Sequence, residues 1–128
     1  MSFLIKIKYY LLYFFCTFFF FLDVSPSFSE GSKLLFFTDK TCPFCQRWEK
    51  DIGDIYPKTE YSEEFKLIRI SFDTDFKSQI SGLKKTILGT PTFVFVYLGK
   101  EIGRIEGYNG PEMFWWQVES IVNSRNND

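Results

Sequence analysis

The 128-residue sequence predicts an α/β domain with a mixed four-stranded sheet flanked by helices, and three observations carry that prediction. The run Leu34-Leu35-Phe36-Phe37 is short, apolar and closed by polar Asp39-Lys40-Thr41, which is the pattern of a buried strand and its turn. Directly after it, Cys45, Trp48, Ile52 and Ile55 recur at spacings of three and four, as on the apolar face of a helix. Beyond that helix lie one more strand-like stretch, Lys66 to Ser71, and a hairpin-like pair around Leu98-Gly99-Lys100.

In chain order, the first segment does not read as part of the domain. Lys6 and Lys8 precede a run from Tyr9 to Leu22 in which only Thr17 is polar, and Ser27-Phe28-Ser29 supplies the small residues of a cleavage site before Glu30. That is the layout of a secretory signal, so residues 1–29 are expected to be a leader and the remainder to be exported. An uncleaved membrane anchor through residues 3–22 is the alternative, although the apolar run is short for a span of about 20 residues. Cys16 lies inside this run and is read as a passenger. The domain is expected over residues 30–123, with a disordered tail at 124–128.

Charge excludes one broad class of function. The whole chain has 15 basic and 16 acidic residues, and removing a leader with two lysines and one aspartate leaves a small acidic excess. No basic surplus is present to hold a phosphate backbone, so nucleic acid is not an expected partner.

The chemistry is concentrated in Cys42-Pro43-Phe44-Cys45, at the junction of the first strand and the first helix. Pro43 fits the first helical position, which makes Cys42 the N-cap residue and places Cys45 on the inward face. Cysteines three apart on a helical turn are close enough to form and open a disulfide with small adjustments. The helix dipole favours a thiolate at its mouth, so the Cys42 pKa is expected below the free value of about 8.5, with help from Arg47 and opposition from Phe44 if that ring covers the sulfur. Cys42 is thus the expected nucleophile and Cys45 the resolving thiol. An inert staple would close too small a loop to stabilise much. A zinc site lacks ligands, because only Cys16 remains and there is no His, so no metal is expected.

Pro57 should end the helix near Ile55-Tyr56, and a helical turn is expected at Ser62 to Phe65 in the polar connection that follows. The Lys66–Ser71 strand should run parallel to the first, since a helix crosses between them. Asp73 and Asp75 fit a capped turn better than a cation site. A weaker helix is expected within residues 77–88, with Leu83, Ile87 and Leu88 inward. Pro91 opens the third strand, which runs to Tyr97, and Glu101 to Gly107 returns antiparallel. Ile102 and Ile105 differ in parity, so a bulge near Gly103 is expected to restore the phase. Asn109-Gly110-Pro111 starts a last helix with Phe114, Trp115, Val118, Ile121 and Val122 buried and Trp116 at the core's edge.

A CxxC pair at a strand-to-helix junction in a βαβ setting is a thioredoxin-like signature. Phe36-Phe37-Thr38 through Cys45, together with Gly89-Thr90-Pro91-Thr92-Phe93-Val94-Phe95 and Gly99-Lys100-Glu101-Ile102-Gly103-Arg104, resembles exported thioredoxin-fold proteins, similar to the periplasmic SoxW/SoxS-like and TlpA-type thiol–disulfide oxidoreductases. The resemblance implies a cis Thr90-Pro91 peptide set against the cysteines, with Thr90 and Pro91 forming a substrate loop that receives an extended client chain. It also implies that Pro91 discourages metal capture, that no cofactor beyond the Cys42-Cys45 disulfide is needed, and that a monomer meets client proteins and a membrane or periplasmic electron donor.

Three departures qualify this picture. Phe36 stands where the family has a buried acid, leaving water, the Cys42 thiolate or Asp39 to take the Cys45 proton. Phe44 stands where strong oxidants carry His, which makes the pair less oxidising. The family's extra amino-terminal strand and helix are expected to be missing, because Leu34 follows the cleavage site so soon. The sequence therefore points to an exported thiol–disulfide oxidoreductase leaning toward reduction, with a non-enzymatic, membrane-tethered binding protein as the alternative. A disulfide isomerase would need a dimerisation module for which there is no room.

Overall fold

The structure is a computed structural model and describes residues 2–19, 31–72 and 82–126. Helix α1 (Ser2–Phe19) precedes β1 (Lys33–Thr38), α2 (Pro43–Trp48), α3 (Glu60–Glu64), β2 (Lys66–Ser71), β3 (Thr92–Tyr97), β4 (Lys100–Glu106) and α4 (Pro111–Arg125). The described side chains of α1 are exposed and join neither core cluster. Among the described residues no helix is long and apolar enough to cross a membrane.

The four strands form one sheet in the order β2-β1-β3-β4. β1 pairs parallel with β2, Lys33 opposite Lys66, because α2 and α3 carry the chain back to the starting edge between them. β1 and β3 are antiparallel, as are β3 and β4. Leu98 and Gly99 both have positive φ, 47° and 79°, which gives the two-residue hairpin turn the twist that the strands require. The expected bulge is present: Phe95 faces Gly103 and Val96 faces Glu101, so Ile102 is the extra residue. Ile102 and Ile105 consequently both reach the same core cluster.

One face of the sheet carries α2 and α4. Leu34, Phe36, Phe93, Phe95 and Ile105 from the strands meet Cys45, Trp48, Ile52, Tyr56, Phe114 and Val118 there. Gly103 lets α4 approach closely, since a Cβ in its place would lie 2.8 Å from Ile121 Cγ2. The other face holds a smaller cluster of Leu35, Phe37, Val94 and Val96, covered by Ile87.

Five expectations are corrected. Ile55 is 51 % exposed and Tyr56 takes the inward position, because α2 continues as a wider π-helical turn over Glu49–Gly53 that shifts the inward face by one residue. The helix expected within residues 77–88 is absent over 82–88, where the chain is irregular; residues 77–81, like Asp73 and Asp75, lie outside the described residues. Ile87 is buried and Leu83 half-buried as expected, but Leu88 points outward, because an irregular segment imposes no common face on the three. Trp116 is 64 % exposed rather than packed at the core's edge, while Trp115 takes the inner place and stacks on Tyr56. The helical turn after Pro57 also begins earlier than expected, at Glu60 after Thr59.

Candidate active site

Register brings the functional loops to one edge of the sheet. Phe37 near the end of β1 faces Thr92 at the start of β3, so the turn leading to Cys42 and the loop ending at Pro91 emerge side by side. The Gly107 N–H donates to Pro91 O (2.8 Å), which draws the β4–α4 connection to the same edge.

Cys42 is the N-cap of α2, with extended backbone (φ −83°, ψ 110°), and Pro43 opens the helix as expected. Cys42 and Cys45 are joined by a disulfide with Cα atoms 5.3 Å apart. Their exposures differ in the expected sense, 9 % for Cys42 and 1 % for Cys45. The Cys45 N–H donates to Cys42 Sγ (3.2 Å), so the helix mouth already presents a donor to the outer sulfur. Phe44 leaves the helix surface half exposed, at 55 %. Arg47 pairs with Asp51 one turn further along (3.8 Å), so its charge is shared with a carboxylate rather than devoted to the sulfur.

The turn before Cys42 is held by Asp39, whose Oδ1 accepts from the Thr41 N–H and hydroxyl, both at 2.7 Å. Those hydrogen bonds, from the Thr41 hydroxyl first and its N–H second, hold the Asp39 carboxyl below its ordinary pKa. Asp39 is thereby a turn residue and a weak proton acceptor. Phe36 is fully buried, stacked on Phe93 with ring centroids 4.7 Å apart and tilted against Trp48 at 4.6 Å. An aromatic wall thus occupies the sheet position where the family's acid was missed. Trp48 Nε1 is buried in this wall with no hydrogen-bond partner among the described residues.

The Thr90-Pro91 peptide is cis. Pro91 is buried, Thr90 is half-buried, and the Thr92 hydroxyl donates to Gly89 O (2.7 Å), which closes the loop on itself. Among the described residues no hydrogen bond uses the Thr90 N–H or C=O.

Tyr108 was not foreseen. It is buried in the same core cluster as Cys42 and Cys45, its ring lies edge-on to Phe114 at 6.3 Å, and its hydroxyl donates to Asp51 Oδ2 (2.9 Å) across 57 residues of sequence. Burial, the Asp51 hydrogen bond and the Asp51 charge push its pKa up to about 12. Its only sequence signal was its place between Gly107 and the Pro111 helix start. Glu101 and Arg104 were foreseen only as motif residues, yet they form a buried ion pair, Nε to Oε1 2.6 Å. Glu101 Oε2 also accepts from the Lys84 N–H, and Arg104 donates to Lys85 O and Thr86 O, so the pair fastens the segment that enters the Pro91 loop.

A closed CxxC disulfide on a helix N-terminus, beside a cis-proline loop in a βαβ-plus-hairpin sheet, defines a thiol–disulfide oxidoreductase. Residues 28–121 match the family model for a thioredoxin-like domain, and the chain belongs to that family. It is similar to the periplasmic thioredoxin SoxS from Paracoccus pantotrophus in its reduced form, with 29 % identity, TM-score 0.66, and coverage of 72 % of this chain and 96 % of that one. A thioredoxin from Thermus thermophilus (22 % identity, TM-score 0.54, 72 % and 74 % covered) shares the fold. So does a thioredoxin-fold protein from Helicobacter pylori (22 %, 0.57, 77 % and 73 %). No curated protein matches the sequence.

Proposed function

We propose that this oxidoreductase works outside the cytoplasm as a reductase of client disulfides, with Cys42 as nucleophile, Cys45 as resolving thiol, and Thr90 and Pro91 as the client-binding loop. The observation that carries the reading is the asymmetry of the cysteine pair: Cys42 caps the helix at the sheet edge while Cys45 is 1 % exposed behind it. The unused Thr90 N–H and C=O beside the pair support an extended client chain at the loop.

In this mechanism the Cys42 thiolate attacks one sulfur of the client disulfide, forming a mixed disulfide and releasing the first client thiolate. Cys45 passes its proton to that departing sulfur and attacks Cys42 Sγ, which reforms the Cys42-Cys45 disulfide and frees the second client thiolate. The client gains two electrons and the enzyme loses two, so a dithiol donor at the membrane or in the same compartment must restore the pair. Reduction rather than oxidation is favoured because no cation stands between the cysteines: Phe44 occupies that position, and Arg47 is paired with Asp51.

Export rests on the leader-like segment at residues 1–29 and on likeness to a protein described as periplasmic. Two experiments test the reading. With a dithiol reductant present, the full chain should accelerate reduction of a disulfide-bonded protein, Cys42→Ser should abolish this, and Cys45→Ser should accumulate a mixed disulfide. Undiminished exchange by Cys42→Ser would contradict the assignment. Residues 1–29 fused to a phosphatase that is active only outside the cytoplasm should give an active fusion, and an inactive one would remove export from the account.

A further inference from the structure

Leu88 has the highest exposure of the large apolar side chains described, 86 %. It is not on a loose tip. Upstream, Arg104 holds Lys85 O and Thr86 O, and Ile87 is buried in the cluster on the second face of the sheet. Downstream, Gly89 O accepts from the Thr92 hydroxyl. A leucine fixed outward between two anchors, two residues before Thr90, costs little ordering entropy to bury when a second surface arrives. Phe44 is another exposed apolar side chain, and it stands between the cysteines.

An extended client paired with the open Thr90 backbone advances about 3.3 Å per residue. Its side chains within two positions of the reacting cysteine therefore come within reach of Leu88 and Phe44. We propose that Leu88, with Phe44, is a specificity determinant that selects client chains carrying a large apolar side chain within two positions of the reacting cysteine. This rests on the client-loop reading above.

The test uses the full chain and two disulfide-bonded peptides that are identical except for Leu or Glu two positions from the cysteine. The wild type should reduce the leucine peptide about tenfold more efficiently, in kcat/KM, than the glutamate peptide, as one well-filled apolar contact permits. In Leu88→Ser that ratio should fall to about one, and in Phe44→Ser it should fall part of the way. Equal rates in the wild type, or an undiminished ratio in Leu88→Ser, would overturn the proposal. Binding of the leucine peptide with its cysteines replaced by serine, measured by calorimetry, separates the two levels of inference. Leu88-dependent binding without any exchange would sink the redox reading and keep the recognition one, while exchange with no Leu88 dependence in rate or binding would do the reverse.

Discussion

On the face of the sheet that carries α2 and α4, an aromatic layer shares the core cluster of Cys45: Phe36, Trp48, Phe93 and Phe114 form a chain of ring contacts with centroids 4.6 to 5.7 Å apart. On the opposite face a few aliphatic residues, Phe37 and the half-buried Ile70 and Phe72 form a smaller cluster, and a buried ion pair beside it holds the covering segment. Packing positions the thiol, and charge-assisted hydrogen bonds position the segment that enters the Pro91 loop. The active site sits where the two devices converge, at the β1 and β3 ends.

This contrast can be broken from either side. Trp48→Ala should cost about 4 kcal/mol, read from denaturant unfolding, because it empties the centre of the aromatic layer. A loss under about 1 kcal/mol would mean that the layer does not hold the cysteine helix. Arg104→Ala should cost about 3 kcal/mol, since it leaves the Glu101 carboxylate buried and unpaired, and it should also raise KM for a protein client by loosening the segment before Pro91. A purely structural pair would change stability alone. Gly103→Ala should cost about 1–2 kcal/mol, because the new methyl meets Ile121.

The smallest effect is a pH dependence. Burial opposes the Glu101 carboxylate, but the Arg104 guanidinium, the Lys84 N–H and the neighbouring cations outweigh it, so its pKa lies below the ordinary value of 4.5. A carboxyl with a lowered native pKa stabilises the fold above its unfolded pKa and loses that contribution as the pH falls through the native value. Thermal stability should therefore decline below about pH 4.5, and the decline should be shallower in Glu101→Gln. An identical acid slope in both proteins would remove Glu101 from the account.

The legibility of the sequence divides along the same line. β1, the cysteine helix, the bulged hairpin and α4 follow from local periodicity and from Pro43, Gly103 and Pro111, so residue order was enough to place Cys42 and Cys45, whereas the cis Thr90-Pro91 loop followed only from the family resemblance. The features missed depend on partners distant in sequence. Leu88 lies in an irregular segment whose preceding backbone Arg104 holds, and Tyr108 is tied to Asp51, 57 residues away. Ile55 failed for a local reason that periodicity does not carry, the π-helical turn at Glu49–Gly53. The replacement of the family's acid by Phe36 was visible in the sequence, but the aromatic wall that Phe36 builds with Phe93 and Trp48 required the strand register.

The central claim, a redox pair poised for reduction, is tested most directly by the reduction potential of Cys42-Cys45, from equilibration of the full chain with thiol buffers of known poise. The account predicts a value near that of thioredoxin, about −270 mV. A value near −120 mV, typical of a strong oxidant, would contradict it.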